Sequence, residues 1–197
     1  MLIYDEVVCA LRLGLAGAPA YLGVTPDLST VGKAIGGGLP LAAVGGRSDL
    51  MEAALGLESR ERTIFQSGTF TETPLSIAAG MAVLDVLESE PVLERADAAA
   101  EAIRQGLAAE LAAHEVEAAV TGYRSVLQVH LGAASVSNRR ELLRADVEAT
   151  RSFLLGMVAA GVLWPPIHPA VTSGAHDEAD AAAVVEAARR VLERTRS

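Results

Sequence analysis

Cysteine is nearly missing from this chain: Cys9 is the only one in 197 residues. A single thiol builds neither a disulfide framework nor a cysteine-based metal site. Its expected place is a core, as a small apolar side chain. Aromatic residues make up only 4% of the chain, so the core has to be assembled from Ala, Leu and Val. No apolar run reaches the ~18 residues of a membrane span. The first eight residues include Asp5 and Glu6 and no basic segment, which is not a signal peptide; the expected location is the cytoplasm. Positive charge is also scarce, with 16 basic against 25 acidic residues and a net charge of −9. Such a surface repels phosphate backbones, so nucleic acid is not an expected partner. What is abundant is hydrophobicity, at 51%, and that excludes a disordered chain.

Lysine is the scarcest basic residue. Lys33 is the only one, beside fifteen arginines. An arginine-rich composition leaves two explanations for a single lysine. It is a chance survivor on a solvated surface, or it does something arginine cannot. Arginine does not deprotonate in proteins, whereas lysine acts as an amine nucleophile once its pKa is lowered.

Apolar periodicity and turn residues divide the chain into two textures. Met1–Tyr4 reads as a buried parallel-type strand ending at Asp5-Glu6. Leu11–Gly23 reads as a loop with a short helical turn. Asp27–Val31 is a second strand ending just before Gly32-Lys33, and Leu41–Gly45 a third. Ser48-Asp49 caps a helix near Leu50. The stretch from Glu58 to Thr73 is a polar loop. Pro74 opens a helix that is apolar all round and is therefore expected to be buried, with Gly80 permitting a close approach.

Beyond Val92 the pattern is amphipathic. A helix over Asp97–Ala113 carries Ile103, Leu107 and Leu111. Strands follow over Val116–Thr121 and Val126–Leu131. A single helix capped by Asn138 and ended by Gly161 carries Leu143, Val147, Thr150, Leu154 and Val158. The last helix covers Asp177–Arg194. The expected division is 1–90 and 91–197, the second part a small α+β domain. Three short strands and one all-apolar helix do not complete a doubly wound sheet, so the first part is expected to belong to a larger domain.

Asp5 and Lys33 stand 28 residues apart at the ends of two strands of one expected sheet. If those strands are parallel neighbours, both side chains reach the edge where open α/β sheets place ligands. An amine and a carboxylate facing one crevice suit pyridoxal 5'-phosphate. The amine forms a Schiff base and the carboxylate keeps the pyridine nitrogen protonated. Taken alone, Asp5 reads first as a solvated strand-end acid or the partner in a salt bridge. A nucleotide P-loop is excluded, because Asp27 and Ala34 stand where Gly and Ser/Thr are required.

Several motifs carry a resemblance. They are Tyr4-Asp5-Glu6-Val7, Gly23-Val24-Thr25-Pro26-Asp27-Leu28 and Gly32-Lys33-Ala34-Ile35-Gly36-Gly37-Gly38-Leu39-Pro40. Together they resemble class III pyridoxal-phosphate aminotransferases of fold type I. Arg12–Ala18 with Tyr21-Leu22-Gly23 is closest to the glutamate-1-semialdehyde aminomutase branch. Gly45–Met51, Gly68-Thr69-Phe70 and Ser173-Gly174-Ala175-His176 continue the likeness.

The resemblance implies the carboxy-terminal part of an α/β fold: part of the cofactor-binding large domain, then the small domain. It implies amino-group transfer on a small amino or oxo substrate. Lys33 is then the Schiff-base lysine and Asp5 the partner of the pyridine nitrogen. Val7 packs on the ring, and Gly68 and Thr69 serve the phosphate of a neighbouring subunit in a homodimer completed by an amino-terminal half. Family members run to roughly double this length. Glu72-Thr73-Pro74 stands where Gly-Asn-Pro is usual, Cys9-Ala10-Leu11 replaces Thr-Gly-Phe, and His168 occupies the place of a glutamate. The alternative is a non-catalytic remnant or dimerisation module without turnover.

Overall fold

The computed structural model describes residues 1–55, 64, 68–166 and 168–195. The chain divides into two compact units, Met1–Pro91 and Val92–Ser197.

The first unit is built on a three-stranded sheet in the order β1-β2-β3. Strand β1 (Ile3–Glu6) runs parallel to β2 (Leu28–Val31), and β3 (Ala43–Gly46) closes the sheet antiparallel to β2. The connection from β1 to β2 contains α1 (Gly17–Leu22), which ends at Gly23 with φ +66°. That left-handed backbone suits glycine. A 3-10 turn, Lys33–Gly36, follows β2. Arg47 staples the far end of the sheet. Its guanidinium donates to Asp27 Oδ1 at 2.8 Å and to both oxygens of Asp49, while Asp27 Oδ2 accepts from the Leu2 amide at 2.6 Å. These contacts join the starts of β1 and β2 to α2 (Ser48–Leu55).

Helix α3 (Pro74–Ser89) starts with proline in its first turn, where no amide donor is missed. Its packed face is its row of smallest residues. Ser76 and Gly80 are buried, and a Cβ on Gly80 would collide with the Leu41 side chain. The large apolar residues lie outward: Leu75 is 68% exposed and Met81 61%. The expectation of a buried helix is therefore corrected. All-round apolarity shows what a helix can bury, but among the described residues α3 packs through its small-residue face against the turn after β2 and Leu41. The strands expected to be buried are corrected for the same reason. Ile3 is half exposed and every residue of β3 is exposed, because nothing among the described residues covers them. Cys9, expected in a core, is exposed as well. Of the loop expected over Glu58–Thr73, most lies outside the described residues.

The second unit holds a core of conventional density. Helix α4 (Val92–Ala113) packs on the antiparallel hairpin of β4 (Ala118–Tyr123) and β5 (Val126–Leu131). The hairpin closes through two residues, Arg124-Ser125, with Arg124 at φ +50°. Strand β6 (Ala170–Val171) adds to β5. Helices α6 (Val147–Ala159) and α7 (Glu178–Thr195) complete the unit, α6 against β5 and α7 against both α4 and α6. Leu107, Val129, Leu154, Met157 and Ala188 are fully buried between them. Gly106 and Gly156 let α7 approach, since a Cβ on either would strike Val185 or Val191.

The single helix expected from Asn138 to Gly161 is two. Asn138 caps one turn, α5 (Arg139–Leu142), accepting from the amides of Arg140 and Glu141. Asp146 then starts α6 by accepting from the Ala149 amide at 2.9 Å, while its own amide donates to Leu131 O at 2.7 Å. A second N-cap and a tie to β5 break the helix there. In consequence Leu143, Val147 and Val158 are exposed, and Phe153 and Met157 join Thr150 and Leu154 on the buried face.

Candidate active site

The parallel pairing of β1 and β2 sets the geometry. Asp5 faces Thr30 across the ladder and Glu6 faces Val31. Strand alternation puts Asp5 on one side of the sheet and Glu6 on the other. Asp5 Oδ1 accepts from the Thr30 hydroxyl at 3.3 Å and the Val7 amide at 3.1 Å, and its side chain is exposed. Lys33 lies two residues beyond the end of β2. The intervening Gly32 is extended, and a Cβ placed on it would stand 3.5 Å from Val7 Cγ1. Adjacent parallel strands thus carry Asp5, Val7 and Lys33 to one carboxyl edge.

Lys33 itself has φ +52°. A left-handed L-residue costs about 1–2 kcal/mol, and the surroundings hold it there. Gly36 is buried against Leu41, and Gly37 lies against Val83 of α3, leaving no room for a Cβ. Such over-determined strain clusters at functional positions. Among the described residues no carboxylate pairs with the Lys33 amine.

Glu6 was given no role by the sequence. It is 4% exposed, and its Oε2 accepts from the Ala18 amide at 2.6 Å. Gly17 leaves the space this carboxylate fills, so Glu6 ties α1 to the back of β1. Thr30, the hydroxyl that meets Asp5, was also missed; its place two residues before Gly32 was the available signal.

Thr69 and Gly68 lie elsewhere in the first unit. They line a groove of about 730 Å³ with residues 40–44, Met51, Phe70, Thr71, Glu72 and Ile77, and neither Asp5 nor Lys33 borders it. His168 is exposed. His176 Nδ1 takes up the Ser173 amide at 3.1 Å and lies 3.0 Å from its hydroxyl, a local turn lock. Among the described residues no three potential ligands gather for a metal, and no helix is long and apolar enough to cross a membrane.

The sequence model for "Aminotransferase class-III" matches residues 1–174. The chain belongs to the class III aminotransferase family. Glutamate-1-semialdehyde 2,1-aminomutase of Methanococcoides burtonii is 38% identical to it over 189 residues, 95% of this chain and 44% of that protein. An omega-transaminase from Sphaerobacter thermophilus superposes with a TM-score of 0.82 at 28% identity, covering 99% of this chain and 44% of the other. A glutamate-1-semialdehyde aminomutase from Pseudomonas aeruginosa shares the fold, with a TM-score of 0.78 at 22% identity, over 97% of this chain and 44% of that one. This chain therefore spans less than half the length of the relatives it matches.

Class III aminotransferases and aminomutases depend on pyridoxal phosphate. The donor set at the β1–β2 edge suits that group chemically. A primary amine would suit its aldehyde, a carboxylate its pyridinium nitrogen and a branched apolar side chain its ring.

Proposed function

We propose that this chain supplies the lysine-bearing part of an enzyme transferring an amino group on a small amino or oxo substrate. The observation that carries the reading is the parallel β1–β2 register, which sets Asp5 and Lys33 at one edge. Bound there, pyridoxal phosphate supplies the electron sink that makes a substrate C–H bond acidic.

The chain's own residues do the rest. Lys33 Nζ is the primary amine that holds the cofactor and, once released, carries a proton between two carbons. Its left-handed backbone is braced by the glycine turn behind it. Asp5 keeps a proton on the pyridine nitrogen through a charge-assisted hydrogen bond worth about 1.5–3 kcal/mol, and Thr30 with the Val7 amide orients the carboxylate. Val7 packs one ring face and excludes water from it. Thr69 and Gly68 hold a phosphate belonging to a neighbouring subunit. The remaining contacts come from the part of the class III fold that this chain does not span, and the working assembly is a homodimer.

A second reading is a dimerisation module without turnover. It is favoured by the exposed apolar residues of β1 and α3. Borohydride reduction in the presence of pyridoxal phosphate, followed by peptide mapping, separates the two. Label on the peptide containing Gly32-Lys33-Ala34, absent in Lys33→Ala, supports the enzyme reading. Label confined to the amino terminus defeats it.

A further inference from the structure

Glu6 is buried, yet among the described residues no cation pairs with it. A buried carboxylate is costly unless hydrogen bonds satisfy it, and Glu6 bonds both ends of one connection. Its carbonyl accepts from the Ala10 amide at 2.9 Å and its Oε2 from the Ala18 amide at 2.6 Å. The chain between folds back around Leu11, which is 6% exposed and held at φ +62°. A bulky side chain keeps that backbone only where its surroundings over-determine it. The connection opens with Val7. The Val7 amide donates to Asp5 Oδ1 at 3.1 Å, and its side chain lies close to Gly32, next to Lys33.

We propose that Glu6 is a positioning residue: by latching the β1–α1 connection closed, it holds the Val7 amide on the Asp5 carboxylate. The proposal rests on Asp5 as the partner of the pyridine nitrogen. Strand alternation turns Glu6 away from the side that Asp5 occupies, so it acts on that carboxylate through the backbone and not by its own charge. Among the described residues the other hydrogen bond to Asp5 comes from the Thr30 hydroxyl at 3.3 Å. With the latch open, Asp5 keeps the longer of its two bonds, and its alignment with a ring nitrogen is lost. Reach decides which side chains can latch. A glutamine spans the same distance and its side-chain oxygen accepts from the Ala18 amide. An aspartate falls one methylene short, and an alanine offers no acceptor.

Two ligands separate positioning from stability. Pyridoxal phosphate and an analogue with carbon in place of the ring nitrogen are titrated into the full chain and into Glu6→Gln, Glu6→Asp, Glu6→Ala and Asp5→Asn. The signal is the absorbance that Lys33→Ala abolishes. The intact chain is expected to prefer pyridoxal phosphate, because only that ring offers Asp5 an N–H donor. Glu6→Ala is expected to weaken pyridoxal phosphate about tenfold, the low end for a charge-assisted hydrogen bond, and to leave the analogue unchanged. Glu6→Gln keeps the preference. Glu6→Asp lies between and carries the test should the alanine variant unfold. Without ligand, hydrogen exchange at the Val7 amide rises in the same order. Equal weakening of both ligands, or Val7 exchange unaltered in the alanine and aspartate variants, overturns the proposal. If Asp5→Asn abolishes the preference and the Glu6 variants do not, Glu6 has no such role and the reading of Asp5 stands. If the intact chain shows no Lys33-dependent absorbance or no preference, that reading falls and the proposal with it.

Discussion

The two units solve the burial problem differently. In the second, α4, α6, α7 and the hairpin enclose Leu107, Leu154 and Met157 completely. In the first, Leu11 alone among the apolar side chains of the described residues is buried, and the contacts that order it are backbone and polar ones. Gly80 meets Leu41, Glu6 caps α1, and Arg47 bridges two aspartates. The second unit carries its own hydrophobic stabilisation. The first is held in shape by close backbone approaches and leaves its large apolar residues available to something else. A fold shared with longer relatives does not distribute its stability evenly along the chain.

The strongest way to break this contrast is truncation at the core of the second unit. Leu107→Ala leaves a cavity between α4 and its neighbours and is expected to cost about 2–5 kcal/mol, read by chemical denaturation. Met81→Ala, on the outer face of α3, is expected to cost little. Equal losses at the two positions would show that α3 is covered in solution, and the contrast would fail.

A smaller effect sharpens the same point. Leu75 and Met81 are both exposed apolar residues of α3, of the kind that drives association when it forms a patch. Replacing both with glutamine is expected to reduce self-association in analytical ultracentrifugation while leaving the unfolding midpoint nearly unchanged. A large fall in midpoint would mean that this face is packed after all.

Much of the second unit was readable because its helices obey one rule. Ile103, Leu107 and Leu111 recur at helical spacing and are the residues that become buried. The strands were readable from apolar runs between turn residues, although the first runs on to Tyr123, so that two residues and not the expected four connect them. Periodicity fails where burial is decided by absence of a side chain. The packed face of α3 is Ser76 and Gly80, residues with no hydrophobic signal, so the larger neighbours drew attention to the wrong side. It fails again at Asp146, a second cap inside one continuous apolar stripe. In the site, the spacing of Asp5 and Lys33 suggested neighbouring strands, and the register shows β1 and β2 paired in parallel. The left-handed backbone at Lys33 left no mark that composition or spacing could reveal.

The smallest expected effect concerns pH. Burial holds the His130 imidazole below its ordinary value of 6.5, and its Nε2 lies 3.1 Å from the Thr121 hydroxyl. The folded state therefore binds fewer protons than the unfolded chain in the window beneath 6.5. Stability is complete above that value and declines as pH falls through it. Glu110 is held below the usual carboxylate range, first by its hydrogen bond from Arg189, so its contribution is lost only in more acid solution. His130→Gln is expected to flatten the stability curve between neutral pH and the carboxylate range, measured as the denaturation midpoint against pH. A slope that survives the substitution would assign it elsewhere in the second unit.

Asp5 and Glu6 raise a question of parity. They are successive residues with the same functional group, yet one is exposed at the edge and the other is buried beneath α1. Strand alternation, not acidity, tells them apart. Exchanging the two letters would conserve charge and composition. It would leave an aspartate one methylene short of the Ala18 amide and push a longer carboxylate out over Thr30. For the chemistry proposed at this edge, the order of two nearly identical residues is information of the same rank as their presence.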